Sequence, residues 1–203
     1  MNRIDIINSL IQKNGFKTYL EIGVEDGFCF FKINCQTKVG LDPDVNSKAT
    51  LFLTSDDFFK SNQDKFDIIF IDGLHHADQV EKDILNSLKV LSEHGIIVVH
   101  DCLPTSKEIQ EVPRSQDVWT GDTWKAFLKI RKNSNLETYV VDTDWGCGLI
   151  KHGKRPVISS INTTYEEFCI NSVVNPTYEE FCINKNNWMN IINIEEFKAK
   201  YLN

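Results

Sequence analysis

The sequence lacks a long apolar run, an excess of positive charge and a dense set of cysteines. No apolar stretch approaches the about 18 residues that a membrane span requires. The first residues show no charged region followed by an apolar core, so no secretory signal is indicated and we expect a cytoplasmic protein without membrane contact. The formal net charge of -7 argues against nucleic acid as a partner, because nucleic-acid binding needs a basic surface.

The six cysteines form no pair at the C-x-x-C spacing, and a chain of 203 residues is too long for a disulfide scaffold. We therefore expect reduced, mostly buried thiols. Hydrophobic residues make up 41% and charged residues 25% of the chain, which is typical of a globular protein. The length suits one domain with a full core and a small appendage.

Short apolar runs alternate with amphipathic segments along the first three quarters of the chain. An amphipathic helix is predicted over 76–92, with Val80, Ile84 and Leu88 on its apolar face and charged residues, Asp83 among them, off that face. The alternation indicates an α/β domain with a mostly parallel sheet. The last two runs are too close together for a crossover helix, so they should form an antiparallel hairpin. Strands are predicted at 18–22, 38–42, 50–53, 67–72, 96–101, 138–141 and 148–151.

The composition changes at about residue 154, where strand-like runs end. We expect a domain over 1–153 and a small helical C-terminal appendage over 154–203. Thr164–Asn171 recurs without change at Thr177–Asn184, a shift of 13 residues that indicates a tandem duplication. Since Pro176 interrupts the segment, the two copies should form two separate short helices. A structural role is the simplest interpretation, and homodimer formation or covering of a substrate site is the alternative.

Three strands end in residues suited to ligand binding, at the sheet edge where open parallel sheets bind ligands. The first is followed by the turn Glu21-x-Gly23-x-x-x-Gly27, which does not match the dinucleotide fingerprint G-x-G-x-x-G. Glu21 would repel a phosphate but suits a ligand that presents hydroxyl or amine donors. Asp42 ends the second strand, where an acid can accept both ribose hydroxyls. Asp72 follows the strand at 67–72.

Three further segments make the chain resemble the class I S-adenosylmethionine-dependent methyltransferases, and among them bacterial small-molecule and sugar O-methyltransferases. They are 71–76 (IDGLHH), 99–104 (VHDCLP) and 144–148 (DWGCG). The resemblance covers about residues 15–152 and implies a Rossmann-like, seven-stranded sheet with a final antiparallel strand. It also implies that S-adenosylmethionine contacts Glu21, Gly23, Gly27 and Asp72, that Asp42 holds the ribose, and that Asp56 faces adenine. For Asp56, a role in the first turn of a helix is an equal alternative.

A cluster of acids and histidines should form beyond the adjacent strands that end near Asp72 and Asp101. His75, Asp72 and Asp101 are the candidate catalytic residues, because methyl transfer to an alcohol requires a group that removes the hydroxyl proton. The same acids with His100 could hold Mg²⁺ or another divalent metal, which would lower the pKa of a bound hydroxyl. Related enzymes carry two acids where this chain has His100-Asp101. A buried histidine bonded to backbone groups is the alternative for His100.

Aromatic residues with an acid follow the long loop before the helix expected near 122–132. Trp119 and Asp122 could bind a small-molecule acceptor such as a sugar, and Trp145 in the hairpin could shape its edge. The alternatives are a helix cap for Asp122 and a turn role for Trp145. The expected function is O-methylation of a small molecule. A nucleotide-dependent oxidoreductase and a non-catalytic cofactor-binding module are the competing hypotheses, and the fold alone does not decide among them.

Overall fold

A computed structural model describes residues 1–154 and 173–203 of the chain. The described residues form two short 3₁₀ turns, at Phe30–Lys32 and Glu108–Gln110, in addition to the regular elements. The helices are α1 (Arg3–Asn14), α2 (Ser55–Ser61), α3 (Ala77–Val90), α4 (Thr123–Arg131), α5 (Tyr178–Met189) and α6 (Ile194–Tyr201). The strands are β1 (Thr18–Ile22), β2 (Thr37–Leu41), β3 (Phe66–Ile71), β4 (Leu91–Val99), β5 (Leu136–Val141), β6 (Cys147–His152) and β7 (Ile191–Ile192).

The seven strands form one sheet in the order β2-β1-β3-β4-β6-β5-β7. Strands β2, β1, β3 and β4 run parallel to one another. Strand β6 is antiparallel to both β4 and β5, so the predicted hairpin is present and one of its strands is inserted into the sheet. The predicted α/β fold, with a mostly parallel seven-stranded sheet and a late antiparallel strand, is confirmed.

The sheet is buried on both faces, which explains why its strands read as continuous apolar runs. In β3, Ile69 and Ile71 belong to the hydrophobic cluster on one face, whereas Ile68 and Phe70 belong to the cluster on the other. Helices α3 and α4 cover the first face through residues such as Val80. Because β1 to β4 are parallel, their carboxyl ends lie at one edge of this packed sheet.

One predicted strand is wrong and one observed strand was not predicted. Residues 50–53 form a single bridge, from Leu51 to Leu41, because they lie at the open edge beyond β2 with 39–50% of Leu51 and Phe52 exposed. The seventh strand is instead β7, which pairs in parallel with Val140 and Val141 at the opposite edge. Two residues are too short to give a recognisable pattern of hydrophobicity, so β7 forms only because β5 is there to receive its hydrogen bonds.

The C-terminal residues pack on the rest of the molecule through the second copy of the duplicated segment. Thr177 and Glu180 form a capping box that begins α5, and Phe181 is fully buried with its ring 4.5 Å from that of Trp124. The first copy, Thr164–Asn171, and the helix predicted for it lie outside the described residues. The boundary between 153 and 154 stays a prediction.

The described helices are too short or too polar to cross a membrane.

Candidate active site

The turn after β1 is fixed to the ends of both neighbouring strands. The amide of Gly23 donates to the carbonyl of Leu41 at 2.9 Å, and the amide of Asp72 donates to the carbonyl of Ile22 at 2.9 Å. Gly23 has a φ of +88°, and a Cβ at this position would lie 2.2 Å from the Asp72 carbonyl oxygen. Only glycine satisfies both conditions, so the close approach of β1 and β3 at this edge depends on it.

Glu21 lies at the end of β1, 1% exposed, and its carboxylate accepts a hydrogen bond from the Tyr19 hydroxyl. Burial raises the pKa of Glu21 to about 7, against the opposing effect of the Tyr19 hydrogen bond. The side chain can therefore exist in either protonation state near neutral pH. This makes it suited to a ligand that carries a positive charge or hydroxyl donors, and unsuited to a phosphate.

Asp42 follows β2 and organises the adjoining turn. Its two carboxylate oxygens accept hydrogen bonds from the amides of Glu25 and Asp44, each at 2.9 Å. These bonds hold the carboxylate at the mouth of a cavity, with its remaining lone pairs available to a ligand.

A cavity of about 890 Å³ lies over this edge of the sheet. Its size is within the range of about 300–1,000 Å³ that small-molecule and cofactor sites have. Ten of the residues predicted from sequence line it: Glu21, Gly23, Asp42, Asp56, Asp72, His75, His100, Asp101, Trp119 and Trp145.

Gly27 and Asp122 are predicted site residues that do not line the cavity. Gly27 has a φ of +80°, and a Cβ there would lie 2.4 Å from the Phe31 ring. It therefore allows the turn to pack closely on Phe31. The Asp122 carboxylate accepts a 2.7 Å hydrogen bond from the amide of Ala77 at the start of α3 and lies 3.3 Å from the Lys125 ammonium. It fastens the loop before α4 to the N-terminus of α3.

The acids and histidines beyond β3 and β4 converge, as their positions predict. His75 Nε2 lies 3.3 Å from Asp72 Oδ1, and His75 Nδ1 lies 3.3 Å from Asp101 Oδ2. Nδ1 also lies 3.1 Å from the Trp119 carbonyl oxygen, which favours a tautomer with a proton on Nδ1. Burial lowers the pKa of His75, but Asp72 and Asp101 outweigh it and raise that pKa above the ordinary value.

His100 is 5% exposed and bridges the same two carboxylates. Its Nδ1 lies 3.2 Å from Asp72 Oδ1 and 3.1 Å from Asp101 Oδ1. These carboxylate partners replace the backbone partners considered as the alternative. Burial opposes its charged form, but Asp72 and Asp101 raise the pKa of His100 well above its ordinary value. In return, the two histidines hold the pKa of Asp72 well below its usual range despite burial.

Two tryptophans flank this cluster. The Trp119 ring stacks on His75 with centroids 5.3 Å apart and an angle of 25° between the planes, and the Trp119 indole N–H donates to the Glu111 carbonyl at 2.7 Å. Trp145 contacts the His100 ring edge-on at 6.4 Å and is 41% exposed. Trp124, by contrast, is fully buried in the core. Trp119 and Trp145 thus present aromatic surface beside the acid–histidine cluster.

Comparisons with known proteins bear on the domain and its fold. A family model described as a methyltransferase domain matches residues 39–102. That segment contains most of β2, all of β3 and β4, and half of the predicted site residues. No curated protein matches the chain.

Solved structures supply the rest of the comparison. The methyltransferase PaMTH1 of Podospora anserina, solved with S-adenosylhomocysteine, has a TM-score of 0.57 at 18% identity, covering 75% of this chain and 78% of that one. An O-methyltransferase from Bacillus cereus, also solved with S-adenosylhomocysteine, has a TM-score of 0.53 at 16% identity, covering 73% of this chain and 78% of that one. The chain shares the fold of these methyltransferases and matches part of a methyltransferase domain. The resemblance noted in the sequence is confirmed.

The lining of the cavity includes a cation that the sequence did not reveal. Arg3, at the start of α1, lines the cavity, and its Nη1 donates to the Asp144 carboxylate at 3.1 and 3.2 Å. The Arg3 amide donates to the same carboxylate at 2.9 Å. Arg3 Nε lies 3.8 Å from Asp72 Oδ2, and Nη1 lies 3.2 Å from His100 Nε2. Nothing local to residue 3 signals this role, because it depends on where α1 docks.

The β5–β6 turn is held in an unusual backbone conformation. Asp144 and Trp145 have φ values of +50° and +57°, and Asp101, across from them, has +59°. Such conformations are uncommon for non-glycine residues and tend to persist at functional sites. The Cys102 amide donates to the Gly146 carbonyl at 3.0 Å, which joins this turn to the end of β4. The turn therefore brings Trp145 to the cavity and Asp144 to the Arg3 side chain.

Proposed function

We propose that this methyltransferase transfers the methyl group of S-adenosylmethionine to a hydroxyl oxygen of a small molecule, with a sugar as the leading acceptor class. One observation carries the proposal. A single cavity joins the Glu21–Asp42 region, suited to the cofactor, to the Asp72–His75–Asp101 cluster, suited to deprotonating an acceptor. This continuity supports the proposal, because a cofactor bound near Glu21 and an acceptor bound near His75 would lie in the same cavity.

The residues at the first end fit S-adenosylmethionine. Glu21 is buried beside Gly23 and can face the charged amino acid portion, and Asp42 can accept hydrogen bonds from both ribose hydroxyls. Asp56 lies farther along the cavity, where it can meet the adenine. When bound, the cofactor supplies the activated methyl group, so the chain's own work is to orient the acceptor and remove its proton.

His75 is the proposed general base. Its Nδ1 proton is directed at the Trp119 carbonyl, which leaves Nε2 as the nitrogen that can accept the hydroxyl proton. Asp72 and Asp101, each 3.3 Å from the ring, stabilise the imidazolium that results. Because the same carboxylates raise the pKa of His75, they also strengthen it as a base.

Metal assistance is a finer part of the proposal. One ligand atom from each of Asp72, His75 and Asp101 lies within 4.8 Å of the others, a spacing that fits a divalent ion. His100, predicted as a ligand, is outside that group. The mixture of carboxylate and imidazole favours ions such as Mn²⁺, Fe²⁺ or Zn²⁺ over Mg²⁺. An ion held there would polarise the acceptor hydroxyl, and His75 Nε2 would then serve as its ligand instead of acting as the general base. Arg3, 3.8 Å from Asp72, supplies part of the same positive charge.

The acceptor class follows from the walls beside His75. Trp119 and Trp145 offer flat apolar faces, and Asp101 offers hydrogen-bond acceptors close to them. Ring faces with adjoining hydroxyls, as in a sugar, match both features. An oxidoreductase using a dinucleotide fits less well, since Glu21 would face the pyrophosphate. A homodimer and a cytoplasmic location stay predictions.

Isothermal titration calorimetry with S-adenosylmethionine and with NAD tests the cofactor. We expect binding of the first and none of the second, and the reverse result would contradict the proposal. Transfer is then measured with methyl-labelled cofactor and a panel of sugars, with and without a chelator. Tight cofactor binding with no transfer to any acceptor would favour the non-catalytic binding module.

A further inference from the structure

A group of polar side chains between α2 and α3 lines part of the cavity. We call Ser55, Asp56, Gln79 and Asp83 the adenine-end cluster, since all four line the cavity and Asp56 is the residue expected to face adenine. Asp83 Oδ1 accepts hydrogen bonds from the Ser55 hydroxyl at 2.6 Å and from Gln79 Nε2 at 3.1 Å. Gln79 Nε2 also lies 3.3 Å from Ser55 Oγ and 3.3 Å from Asp56 Oδ1.

Asp83 is buried against the expectation from its position on the helix. The sequence places it off the apolar face of α3, yet it is 1% exposed. Among the described residues no cation lies within salt-bridge distance of it, so its partners are the neutral Ser55 and Gln79. Burial raises the pKa of Asp83 to about 6, with the Ser55 and Gln79 hydrogen bonds opposing. A buried carboxylate without a cation costs stability, so its presence calls for a reason.

The hydrogen bonds of the cluster determine which way the Gln79 amide points. Its NH₂ group faces three oxygen atoms, two of them from carboxylates, and the reverse orientation would bring the amide oxygen against those oxygens. The Ser55 proton is likewise directed at Asp83. The donors of the cluster are thus consumed within it.

The atoms that remain for a ligand are acceptors. Gln79 Oε1 has no hydrogen-bond partner in the described part of the chain, and Asp56 Oδ2 has only the Lys82 ammonium at 4.0 Å. A ligand group at this end must therefore donate hydrogen bonds. Adenine carries such a donor, its 6-amino group, whereas a 6-oxopurine presents an acceptor oxygen at the same position.

We propose that Asp83 is a positioning residue that orients Gln79 so that the adenine-end cluster selects a 6-aminopurine cofactor over its 6-oxopurine counterpart. The inference rests on the proposed function, because it assumes that the adenine of S-adenosylmethionine lies at this end. Gln79 is the residue that touches the base, and Asp83 acts through it. Selectivity arises because a 6-oxo group would face acceptors and leave them unpaired.

The test compares two ligands by calorimetry, S-adenosyl-L-homocysteine and S-inosyl-L-homocysteine, which differ at the purine 6-position. The wild-type chain should bind the adenosyl ligand at least about tenfold more tightly than the inosyl ligand. This is the effect of one hydrogen bond that the adenosyl ligand makes and that the inosyl ligand leaves unpaired. In Asp83→Leu the ratio should fall below about threefold, through loss of affinity for the adenosyl ligand alone. Gln79→Leu is the second variant, at a half-buried position, in case Asp83→Leu fails to fold. It should lower the ratio of affinities in the same way.

Asp78→Leu is the matched control, since Asp78 is exposed on the same helix and does not line the cavity. It should keep the wild-type ratio. Equal weakening of both ligands in Asp83→Leu would show a merely structural role and overturn the inference, as would an unchanged ratio in Gln79→Leu. A wild-type ratio near one with tight binding would overturn the inference while leaving the proposed function intact. Failure of the wild-type chain to bind the adenosyl ligand would overturn both.

Discussion

Replacing Arg3 by methionine tests how the N-terminal helix is joined to the active site. The substitution keeps the methylene stem and removes the guanidinium that donates to Asp144 at 3.1 and 3.2 Å. The backbone contacts of this junction stay: the Arg3 amide still donates to Asp144, and the Thr143 hydroxyl still donates to the Met1 carbonyl at 2.5 Å. The change therefore isolates the side-chain part of the junction.

The expected loss follows from the state of Asp144. Burial raises the pKa of Asp144, but hydrogen bonds from His100 and Arg3 outweigh it and lower the pKa to about 2. A shift of that size corresponds to about 2 kcal/mol of folding free energy, shared between His100, the Arg3 amide and the guanidinium. A hydrogen bond to a charged group contributes about 1.5–3 kcal/mol. We therefore expect Arg3→Met to lose about 1–2 kcal/mol at pH 7.

The assay is urea unfolding of both chains from pH 7 to pH 2. A carboxylate with a lowered folded pKa stabilises above its ordinary pKa, and this stability is lost as the pH falls through the folded value. The difference between wild type and Arg3→Met should therefore shrink between about pH 4 and pH 2. Lys17→Met, at an exposed position just after α1, is the control and should change stability by less than about 0.5 kcal/mol. If Arg3→Met matches that control at pH 7, the guanidinium does not hold the helix in place.

Three further changes test the site. Gly23→Ala should lower the free energy of unfolding in urea by more than about 3 kcal/mol, because its Cβ would lie 2.2 Å from the Asp72 carbonyl oxygen. Gly15→Ala is the control: it has open space around it and should lose about 1 kcal/mol for its positive φ alone. Equal losses in the two variants would contradict the close approach at Gly23. Glu21 has its pKa raised to about 7, so the folded chain keeps a proton that the unfolded chain releases. The free energy of unfolding of the wild type should therefore fall as the pH rises from about 5 to 7, and Glu21→Gln should remove up to about 3 kcal/mol of this pH dependence. Parallel pH profiles of the two chains would show that Glu21 is not protonated in the folded state. His75→Ala should reduce kcat/KM at least about 100-fold for an acceptor found in the sugar panel, with the unfolding midpoint little changed; unchanged turnover would remove it as the base.

The local pattern of the sequence was sufficient for most of the sheet. Strands β1 and β3 appear within one residue of their predicted bounds, because buried parallel strands are continuous apolar runs between polar breaks. The turn at Gly23 and the acids at Asp42 and Asp72 were also predictable, since parallel strands end at one edge and ligands bind there. Strand β7 was not, because two residues carry no periodicity.

The sequence by itself determined the class of fold, the family resemblance and the edge of the sheet that forms the site. Only the tertiary structure decided that Arg3 contacts Asp144 and Asp72, which are distant from it in sequence, and that Asp83 is buried between α2 and α3. The reason is physical. Hydrophobic periodicity is a property of neighbouring residues, whereas the charge and hydrogen-bond partners of a buried side chain are set by how separate elements dock.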